Sequence, residues 1–427
     1  MEIVRGFSKL NRKEKIQYIQ NNFPLTSDLE KITGEYRHPS AQSVFDDFSE
    51  NTLSNFYLPY GVAPNFLIDG NRYVLPMVIE ESSVVAAAAR AAAFWANHGG
   101  FKTTVHDTVK VGHIWFQWSG ETKILENQNP TLQTYLAASI KEMTISMEQR
   151  GGGITDIQFI AQPELPNVWQ MQVSFKTADS MGANFINTCL EAMKQPLMNY
   201  FDERNLPEVK IIMAILSNHT PHCLVTCEVS CKVEDLTPYA SGLSNKEFTQ
   251  RFQLAMEIAH HNTDRAVTHN KGIYNGVDAI VLATGNDFRA VEAAGHAYAA
   301  RDGQYRSLSK CEVTEEGQFT LSLTIPLALG TVGGLTRLHP LAALSMEILQ
   351  NPSAEELMSI AASAGLANNF SAVASLVTTG IQKGHMKLHL SNILTSFNAT
   401  AEEKSKAEIY FESETVSIQK VREFLKR

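Results

Sequence analysis

Four titratable side chains of different types stand among small and apolar neighbours in four distant segments. Glu81 ends an apolar run, Lys271 lies in HNKG, Asp287 in GND and His385 in GHM. Singly, the first three have ordinary explanations as a first-turn acid, a loop lysine and a helix N-cap. Together the four supply a positive charge and groups that donate or accept protons. That set indicates one acid–base site.

The elements that must position these groups can be traced in the pattern. Ser83 can cap a helix over VVAAAARAAAFWANH, which Gly99 would end, so Glu81 precedes a helix N-terminus. Asp287 follows the apolar run Ala279–Ala283, which we predict as a strand that turns into a helix. Open α/β sheets bind ligands at such strand ends. We expect the last fifty residues to form a small mobile lobe.

The pattern of apolar and polar residues changes between about residue 103 and residue 217. Strand-type and helix-type patterns follow one another in the order β-α-β-β-α-β, the ferredoxin-like split βαβ unit. The predicted fold is therefore mixed α+β and α/β. A large domain (1–107 and 218–375) is interrupted by the ferredoxin-like domain (108–217), and a helical flap (376–427) follows.

Composition excludes several classes of function. The 427 residues carry 36 Lys+Arg against 45 Asp+Glu, a net charge of −9, so neither nucleic acid nor an anionic membrane is an expected partner. The N-terminus lacks a signal-peptide core, and the apolar stretch Val84–Ala96 is too short to cross a bilayer. Five cysteines, an odd number, fit reduced thiols. We expect a soluble, cytoplasmic protein.

One cluster of histidines and cysteines has the residue types of a metal site, and the common nucleotide-binding motifs are absent. His219, His222, Cys223, Cys227 and Cys231 cluster in sequence, but CLVTCEVSCKV alternates like a strand. Cysteines four apart on a strand lie roughly 13 Å apart, too far to share zinc, so no metal is predicted. No G-x-G-x-x-G follows a strand and there is no P-loop. A dinucleotide would therefore bind without a Rossmann fold.

Five segments resemble the signatures of class II (bacterial-type) hydroxymethylglutaryl-CoA reductase, in that family's order from about residue 45 to 395. They are ENTLSNFYLPYGVAPNF, PMVIEESSVVAAAARAA, ADSMGANFINT, THNKGIYNGVDAIVLATGNDFRAVEA and GIQKGHMKLH. The resemblance implies reduction of hydroxymethylglutaryl-CoA to mevalonate and free CoA by two hydride transfers from a nicotinamide cofactor.

The resemblance also implies roles for the four titratable residues. Lys271 would stabilise the thioester oxyanion, since an ammonium is a compact positive charge. Glu81 would protonate the aldehyde oxygen, so it would have to hold a proton near neutral pH. Asp287 would orient Lys271 and couple to Glu81. His385, on the flap, would protonate the departing CoA thiolate.

Binding residues follow from the same resemblance. The hydroxymethylglutaryl group is expected at Ser83, Arg265, Asn275 and Asn218, and CoA near Asn368, where the family usually has glutamine. The nicotinamide cofactor is expected at Asp179, Met181, Gly182, Ala183 and Asn184, where a helix N-terminus suits a pyrophosphate. Thr144 stands where NADH-preferring members carry aspartate, which favours NADPH over NADH.

Family members form dimers, often assembled into hexamers, whose active sites are shared between two chains. Glu50 matches the segment that reaches across that interface. Two alternatives stay open at this point. The same fold could run oxidatively and degrade mevalonate, or the chain could be a non-catalytic acyl-CoA-binding relative. The second would be favoured by loss of Lys271 or His385, and both are present.

Overall fold

The computed structural model describes residues 3–378, 380, 390–391, 393–411, 414 and 416–426. Its α-helices are α1 Arg12–Asn22, α2 Leu29–Glu35, α3 Gln42–Asp46, α4 Val84–Ala96, α5 Thr122–Ser139, α6 Lys141–Glu148, α7 Ala183–Asp202, α8 Thr237–Ala240, α9 Asn245–His261, α10 Thr263–Ala283, α11 Phe288–Ala299, α12 Leu335–Leu338, α13 Pro340–Ile348, α14 Ala354–Val377, α15 Ala401–Tyr410 and α16 Ile418–Phe424. Its strands are β1 Tyr60–Ile68, β2 Asn71–Val78, β3 Lys102–Val105, β4 Lys110–Gln117, β5 Gly153–Ala161, β6 Val168–Lys176, β7 Lys210–Ser217, β8 Leu224–Lys232, β9 Ser309–Val313 and β10 Gln318–Pro326.

The largest hydrophobic core joins a hairpin, a sheet and four long helices. Strands β1 and β2 form the hairpin, and an antiparallel sheet has the order β3-β8-β10-β9. Helix α14 packs against α4, α9 and α10 and against the sheet. By length and composition α14 could span a membrane, but 72% of its most apolar window is buried inside the protein. Its apolar character therefore matches its place as a core helix.

A second core belongs to the predicted βαββαβ unit. Strands β4 to β7 form an antiparallel sheet of order β5-β6-β4-β7, so the first strand lies between the third and the fourth. Helices α5 and α7 contact each other and the sheet, with the aromatic side chains of Phe116, Trp118 and Phe175 between them. The predicted mixed fold class is confirmed. The observed strand order is that of the split βαβ unit.

A third, small cluster lies near the C-terminus. Within the described residues it contains Leu390, Leu394, Ala407, Phe411 and Val421, contributed in part by α15 and α16. Both helices begin at hydroxyl N-caps, as Thr400 accepts from the Glu403 N–H and Ser417 from the Lys420 N–H. The region thus has apolar contacts of its own.

The strand predicted over Ala279–Ala283 is wrong. These residues are the last turn and a half of α10, a 21-residue helix. Apolar residues there are buried against several neighbours, so the helix shows no polar stripe and its end reads like a buried strand. Asp287 therefore follows a helix rather than a strand.

Two other local predictions can be compared with the structure. Ser83 does stand at the N-cap of α4, but its side chain makes no capping hydrogen bond and its φ is 76°. The strand predicted for CLVTCEVSCKV is confirmed as β8, with Cys223, Cys227 and Cys231 buried. Burial raises the pKa of the Cys227 thiol to about 12, so it stays protonated.

Helix α10 approaches α14 too closely for any side chain larger than hydrogen at Gly276. A Cβ there would lie 2.3 Å from the Ala364 carbonyl oxygen and 2.8 Å from Asn368 Nδ2. Across the contact, a Cβ at Gly365 would lie 2.8 Å from Val277 Cγ2. The two glycines thus set the distance between the helices.

We predict that Gly276→Ala lowers the free energy of unfolding by about 1–3 kcal/mol, because the new methyl group must push the two backbones apart. Gly272→Ala, on the same helix, is the matched control. Among the described residues, no atom beyond the helix's own neighbouring backbone lies within 4 Å of a Cβ at Gly272. Alanine's helix propensity should therefore leave stability unchanged or raise it by up to about 1 kcal/mol. Urea unfolding followed by circular dichroism measures both. Equal effects at the two positions would contradict the packing argument.

Candidate active site

Glu81 and Lys271, separated by 190 positions in the chain, form an ion pair in the folded protein. Glu81 lies between β2 and α4, and Lys271 lies in the middle of α10, which packs against both elements. Lys271 Nζ donates to Glu81 Oε2. The Lys271 side chain is 60% exposed and the Glu81 side chain 34%, so a substrate can reach the pair.

Polar contacts fix α10 on the far side from Glu81. Asn270, which precedes Lys271, donates from Nδ2 to the Arg306 carbonyl (2.9 Å) and accepts the Leu308 N–H (3.0 Å). His269 Nε2 lies 2.7 Å from Ser309 Oγ and 3.0 Å from Asn369 Nδ2. Burial lowers the pKa of His269 to about 3, so the ring is neutral. These buried bonds hold the backbone that carries Lys271.

Two predicted substrate residues lie on the same helix. Asn275 is partly buried one turn after Lys271, where residues four apart share a helix face. Arg265 is partly buried in the first turns of α10, and burial lowers the pKa of its guanidinium. In the part of the chain that the structure describes, Arg265 pairs with no carboxylate. A half-buried guanidinium without a counterion is suited to bind a carboxylate.

Asp287 is the N-cap of α11, which is the ordinary structural role that the sequence allowed for it. Its Oδ1 accepts from the N–H groups of Arg289 (3.0 Å) and Ala290 (3.2 Å), and the Arg289 guanidinium donates to both carboxylate oxygens at 3.1 Å. Partial burial alone would raise the pKa of Asp287, but these hydrogen bonds outweigh burial and lower it. Among described residues Asp287 thus contacts Arg289, and the structure gives it no bond to Lys271 or Glu81.

The predicted cofactor segment is anchored to the large core. Asp179 accepts the Ala354 N–H at the start of α14 (2.9 Å), and its carbonyl accepts the Thr331 N–H (2.8 Å). Gly182 is the N-cap of α7 with φ 90°, and a Cβ there would lie 2.4 Å from Thr177 Cγ2. Glycine is required, and the exposed N-terminus of α7 is left open for an anion.

A chain of contacts links this segment to Asp287. Asn286 exchanges two hydrogen bonds with the backbone of Gly330, at 3.0 and 2.9 Å. A Cβ on Gly330 would lie 2.4 Å from the Met181 nitrogen, so the two backbones nearly touch. Asn218 lines a narrow crevice with Met181 and Ala290. The predicted cofactor segment, Asn218 and the first turn of α11 therefore meet in one place.

The remaining residues predicted from the sequence lie in separate environments. Asn368 is buried (5% exposed) between α10 and α14 and donates to the Ala364 carbonyl, so it presents nothing at the surface. Glu50 and Asn184 are exposed, and Ala183 is the first residue of α7. His385 lies outside the described residues.

Thr144 is buried (2% exposed) beside the ion pair that Lys141 forms with Glu148. Thr144 Oγ1 donates to Glu148 Oε1 (2.7 Å), while Lys141 pairs with Glu148 Oε2. A carboxylate thus stands one turn after Thr144, already paired with a lysine. This ion pair was not predicted from the sequence, although Glu148 stands four residues after Thr144 and so on the same helix face.

A cavity of about 970 Å³ opens beside Asp287. Its walls are mainly apolar and include Phe45, Phe48, Tyr57 and Phe288, with Asp287 and Arg289 among its polar groups. Most of the aromatic residues come from the N-terminal 60 residues, in which only the segment that begins at Glu50 was given a specific role from the sequence. The cavity is large enough for an elongated ligand with an apolar part.

Comparisons with known proteins agree with this arrangement. Residues 11–390 match the family model described as hydroxymethylglutaryl-coenzyme A reductase. The chain is 35% identical to the 3-hydroxy-3-methylglutaryl-coenzyme A reductase of Archaeoglobus fulgidus, with 99% of this chain and 94% of that protein covered. It is 31% identical to the probable reductase of Borreliella burgdorferi, with 95% and 91% covered.

Solved structures give the same result. A class II reductase from Streptococcus pneumoniae, bound to NADPH in open conformations, superposes with a TM-score of 0.73 at 35% identity, covering 87% of this chain and 99% of that one. A second structure of the S. pneumoniae enzyme gives 0.74 at 34% identity, covering 99% and 98%. The fold and site define an NAD(P)H-dependent oxidoreductase. The chain belongs to the hydroxymethylglutaryl-coenzyme A reductase family.

One further pair near the site has no counterpart in the sequence reasoning. Asp278 on α10 hydrogen-bonds to Glu292 on α11, and its Oδ1 is buried without another partner among the described residues. Burial first, and then the charge of Glu292, raise the pKa of Asp278 to about 8. Two carboxyl groups that share a hydrogen bond must hold a proton between them.

This pair predicts a pH dependence of stability. The folded protein keeps a proton on Asp278 that the unfolded chain releases above about pH 4, so the stability contributed by that proton is lost as pH rises toward about 8. Asp278→Asn should therefore be more stable than the parent chain at pH 8, with the difference shrinking toward pH 4. Urea unfolding at several pH values measures this. A variant equally destabilised at every pH would show that the pair does not titrate as proposed.

Proposed function

We propose that this chain reduces hydroxymethylglutaryl-CoA to mevalonate and CoA at a site built on the Glu81–Lys271 pair. The observation that carries the proposal is that contact: a lysine ammonium and a glutamate carboxylate, brought from distant segments, lie together at one accessible place. Family membership supplies the reaction.

The two side chains suit two different demands of a thioester reduction. The ammonium of Lys271 stabilises negative charge that develops on the thioester oxygen. Glu81 accepts a hydrogen bond from Lys271 and so lies beside any oxygen that Lys271 binds, where the protonated form of Glu81 delivers a proton in the second reduction. Arg265, without a carboxylate partner among described residues, binds the carboxylate of the substrate, and Asn275 lies on the Lys271 face of α10.

The nicotinamide cofactor supplies the hydride when bound. We place it at Asp179–Asn184, since no described side chain caps the N-terminus of α7 at Gly182 and a free helix N-terminus favours a pyrophosphate. We propose NADPH rather than NADH, as the S. pneumoniae relative was solved with NADPH. The Lys141–Glu148 pair beside Thr144 leaves little net charge to repel a 2′-phosphate.

The remaining parts complete the proposal. Residues 1–107 and 218–375 bind the CoA ester, 108–217 bind the cofactor, and 376–427 form a flap whose His385 protonates the CoA thiolate. The protein works in the cytoplasm as a homodimer with Glu50 at the interface, and a hexamer is the larger assembly that such dimers form in the family. Exposed apolar side chains support association: Phe56 is 91% exposed and Leu338 63%.

Shared active sites account for the position of Asp287. Within one chain its carboxylate binds Arg289 and makes no bond to Lys271. We propose that Asp287 of one chain completes the site that contains Lys271 of its partner. The cavity beside Asp287 would then accept part of the CoA ester.

We predict that wild-type protein consumes NADPH when hydroxymethylglutaryl-CoA is added, faster than NADH. Lys271→Ala should lower kcat by at least about 100-fold, because the developing oxyanion loses its charge partner. The measurement is the fall in nicotinamide absorbance with equal protein concentrations. Lys246→Ala, an exposed lysine in the first turn of α9, serves as the control and should keep normal activity. Full turnover by Lys271→Ala would remove the proposed role of Lys271.

Mixing inactive variants tests the shared site. Asp287→Asn keeps an N-cap, so the fold should persist. If Asp287 and Lys271 of one site come from different chains, a hybrid of Asp287→Asn and Lys271→Ala contains one intact site. Random mixing should then restore about a quarter of wild-type activity.

The matched control combines Glu81→Gln with Lys271→Ala. These residues pair within one chain, so each site of that hybrid stays defective. Activity should therefore not return after mixing. Recovery in this control, or none with Asp287→Asn, would contradict the shared-site proposal.

A further inference from the structure

A second cavity, of about 330 Å³, lies away from the Glu81–Lys271 pair and from the cavity beside Asp287. It opens where α9 and α11 end next to β9 and β10. Its polar lining includes His260, Arg301, Arg306, Lys310, Ser322 and Thr324. No carboxylate is among the side chains that line it.

The three permanent cations of this cavity are not neutralised. Arg301, Arg306 and Lys310 take part in no ion pair within the described residues, in a chain whose net charge is −9. Of the neighbouring carboxylates, Glu257 pairs with His261 at 3.5 Å. Three others lie outside the cavity lining: Glu312 on β9, Glu228 beside Ser322 on β8, and Asp302 after Arg301. The cavity therefore keeps a local positive field that an anion can occupy.

The field also acts on His260. Burial first, and then the charges of Arg306, His261 and Lys310, lower the pKa of its ring. His260 Nδ1 is buried and has no hydrogen-bond partner in the described structure. A buried polar atom without a partner is expected to bind water or a ligand.

The two arginines are held in place before any ligand arrives. Arg306 Nη1 donates to the His260 carbonyl (3.1 Å), and its backbone is bonded to Ala299 and Asn270. Arg301 Nη1 donates to the Tyr298 carbonyl (2.7 Å), with its guanidinium 4.0 Å from the centre of the Tyr298 ring. Each guanidinium has five donors and one is used here, so the others remain for an anion. Little side-chain entropy is lost on binding.

Strand β10 adds neutral groups beside Lys310. Ser322 is paired with Lys310 across the β9–β10 ladder, and Thr324 follows on the same face. Hydroxyl groups donate to phosphate oxygens and add no charge. Three cations with two hydroxyls match a doubly or triply charged anion better than a single carboxylate.

We propose that this cavity binds a small diphosphate-bearing ligand, at a site separate from the catalytic one. The shared chemistry is a diphosphate group, which free pyrophosphate, CoA and the dinucleotide all contain. Separation from the catalytic site means that pyrophosphate binds there while CoA and NADPH occupy their own sites.

The test is isothermal titration calorimetry of the full chain with sodium pyrophosphate at physiological salt, free of divalent metal. We expect saturable binding of one pyrophosphate per chain, tighter than orthophosphate, and unchanged when CoA and NADPH are saturating. The double variant Arg301→Gln, Lys310→Gln should bind at least about tenfold more weakly, since two charge-assisted contacts are lost. Arg306 is left intact because it supports the backbone of His260.

The matched control is Lys232→Gln, Lys246→Gln, which removes the same charge from two exposed positions away from the cavity. It should bind pyrophosphate as the parent chain does. Should the first double variant unfold, Lys310→Gln alone, on an exposed strand position, must still weaken binding by several-fold. Equal losses in the two double variants, displacement by CoA or NADPH, or no saturable binding would each overturn the proposal.

Discussion

Helix α10 lies so close to α14 that only glycine fits at position 276, and the candidate active site depends on that contact. The same helix carries Arg265, Lys271 and Asn275 and leads directly to Asp287. Packing fixes its distance from the core, while Asn270 and His269 fix its position along the sheet. A lysine with four rotatable bonds on its side chain can stay near Glu81 because the backbone beneath it is rigid.

Electrostatics are arranged locally rather than by net charge. A chain of charge −9 nevertheless holds a half-buried Arg265 without a carboxylate partner among described residues, and pairs Arg289 with Asp287 and Lys271 with Glu81. Asp278 and Glu292 are not paired with a cation in the described part of the chain: the two carboxyl groups contact each other, and burial and the charge of Glu292 keep a proton on Asp278. Such contrasts between neighbouring environments are typical of sites that move protons.

The two larger cores are joined at the place where chemistry is expected. Asn286 bonds to Gly330, Gly330 touches Met181, and Asp179 accepts the N–H of Ala354, the first residue of α14. The segment that opens α7 is therefore held by the large core, although its helix belongs to the smaller one. A cofactor bound at Gly182 would lie beside the first turn of α11, which Asp287 begins.

Local patterns in the sequence were sufficient for much of the fold. Alternating residues predicted β8, and the order of patterns from β4 to β7 predicted the split βαβ unit, because strand period and helix period are properties of short segments. The signature segments identified the family before any contact was known. Local patterns failed at Ala279–Ala283, since a helix buried on several sides has no polar face to reveal its period.

Tertiary structure alone decided which groups meet. Glu81 and Lys271 pair across 190 positions, whereas Asp287 binds Arg289, two residues away, instead of Lys271. Asn368, which sequence alone placed near a ligand, is enclosed between α10 and α14. The cations of the second cavity come from β9 and from the loop between α11 and β9, and only folding leaves them without ion-pair partners among the described residues. The sequence by itself determined the residue types and the local elements, and tertiary packing determined the contacts, because contact depends on distances that no local pattern encodes.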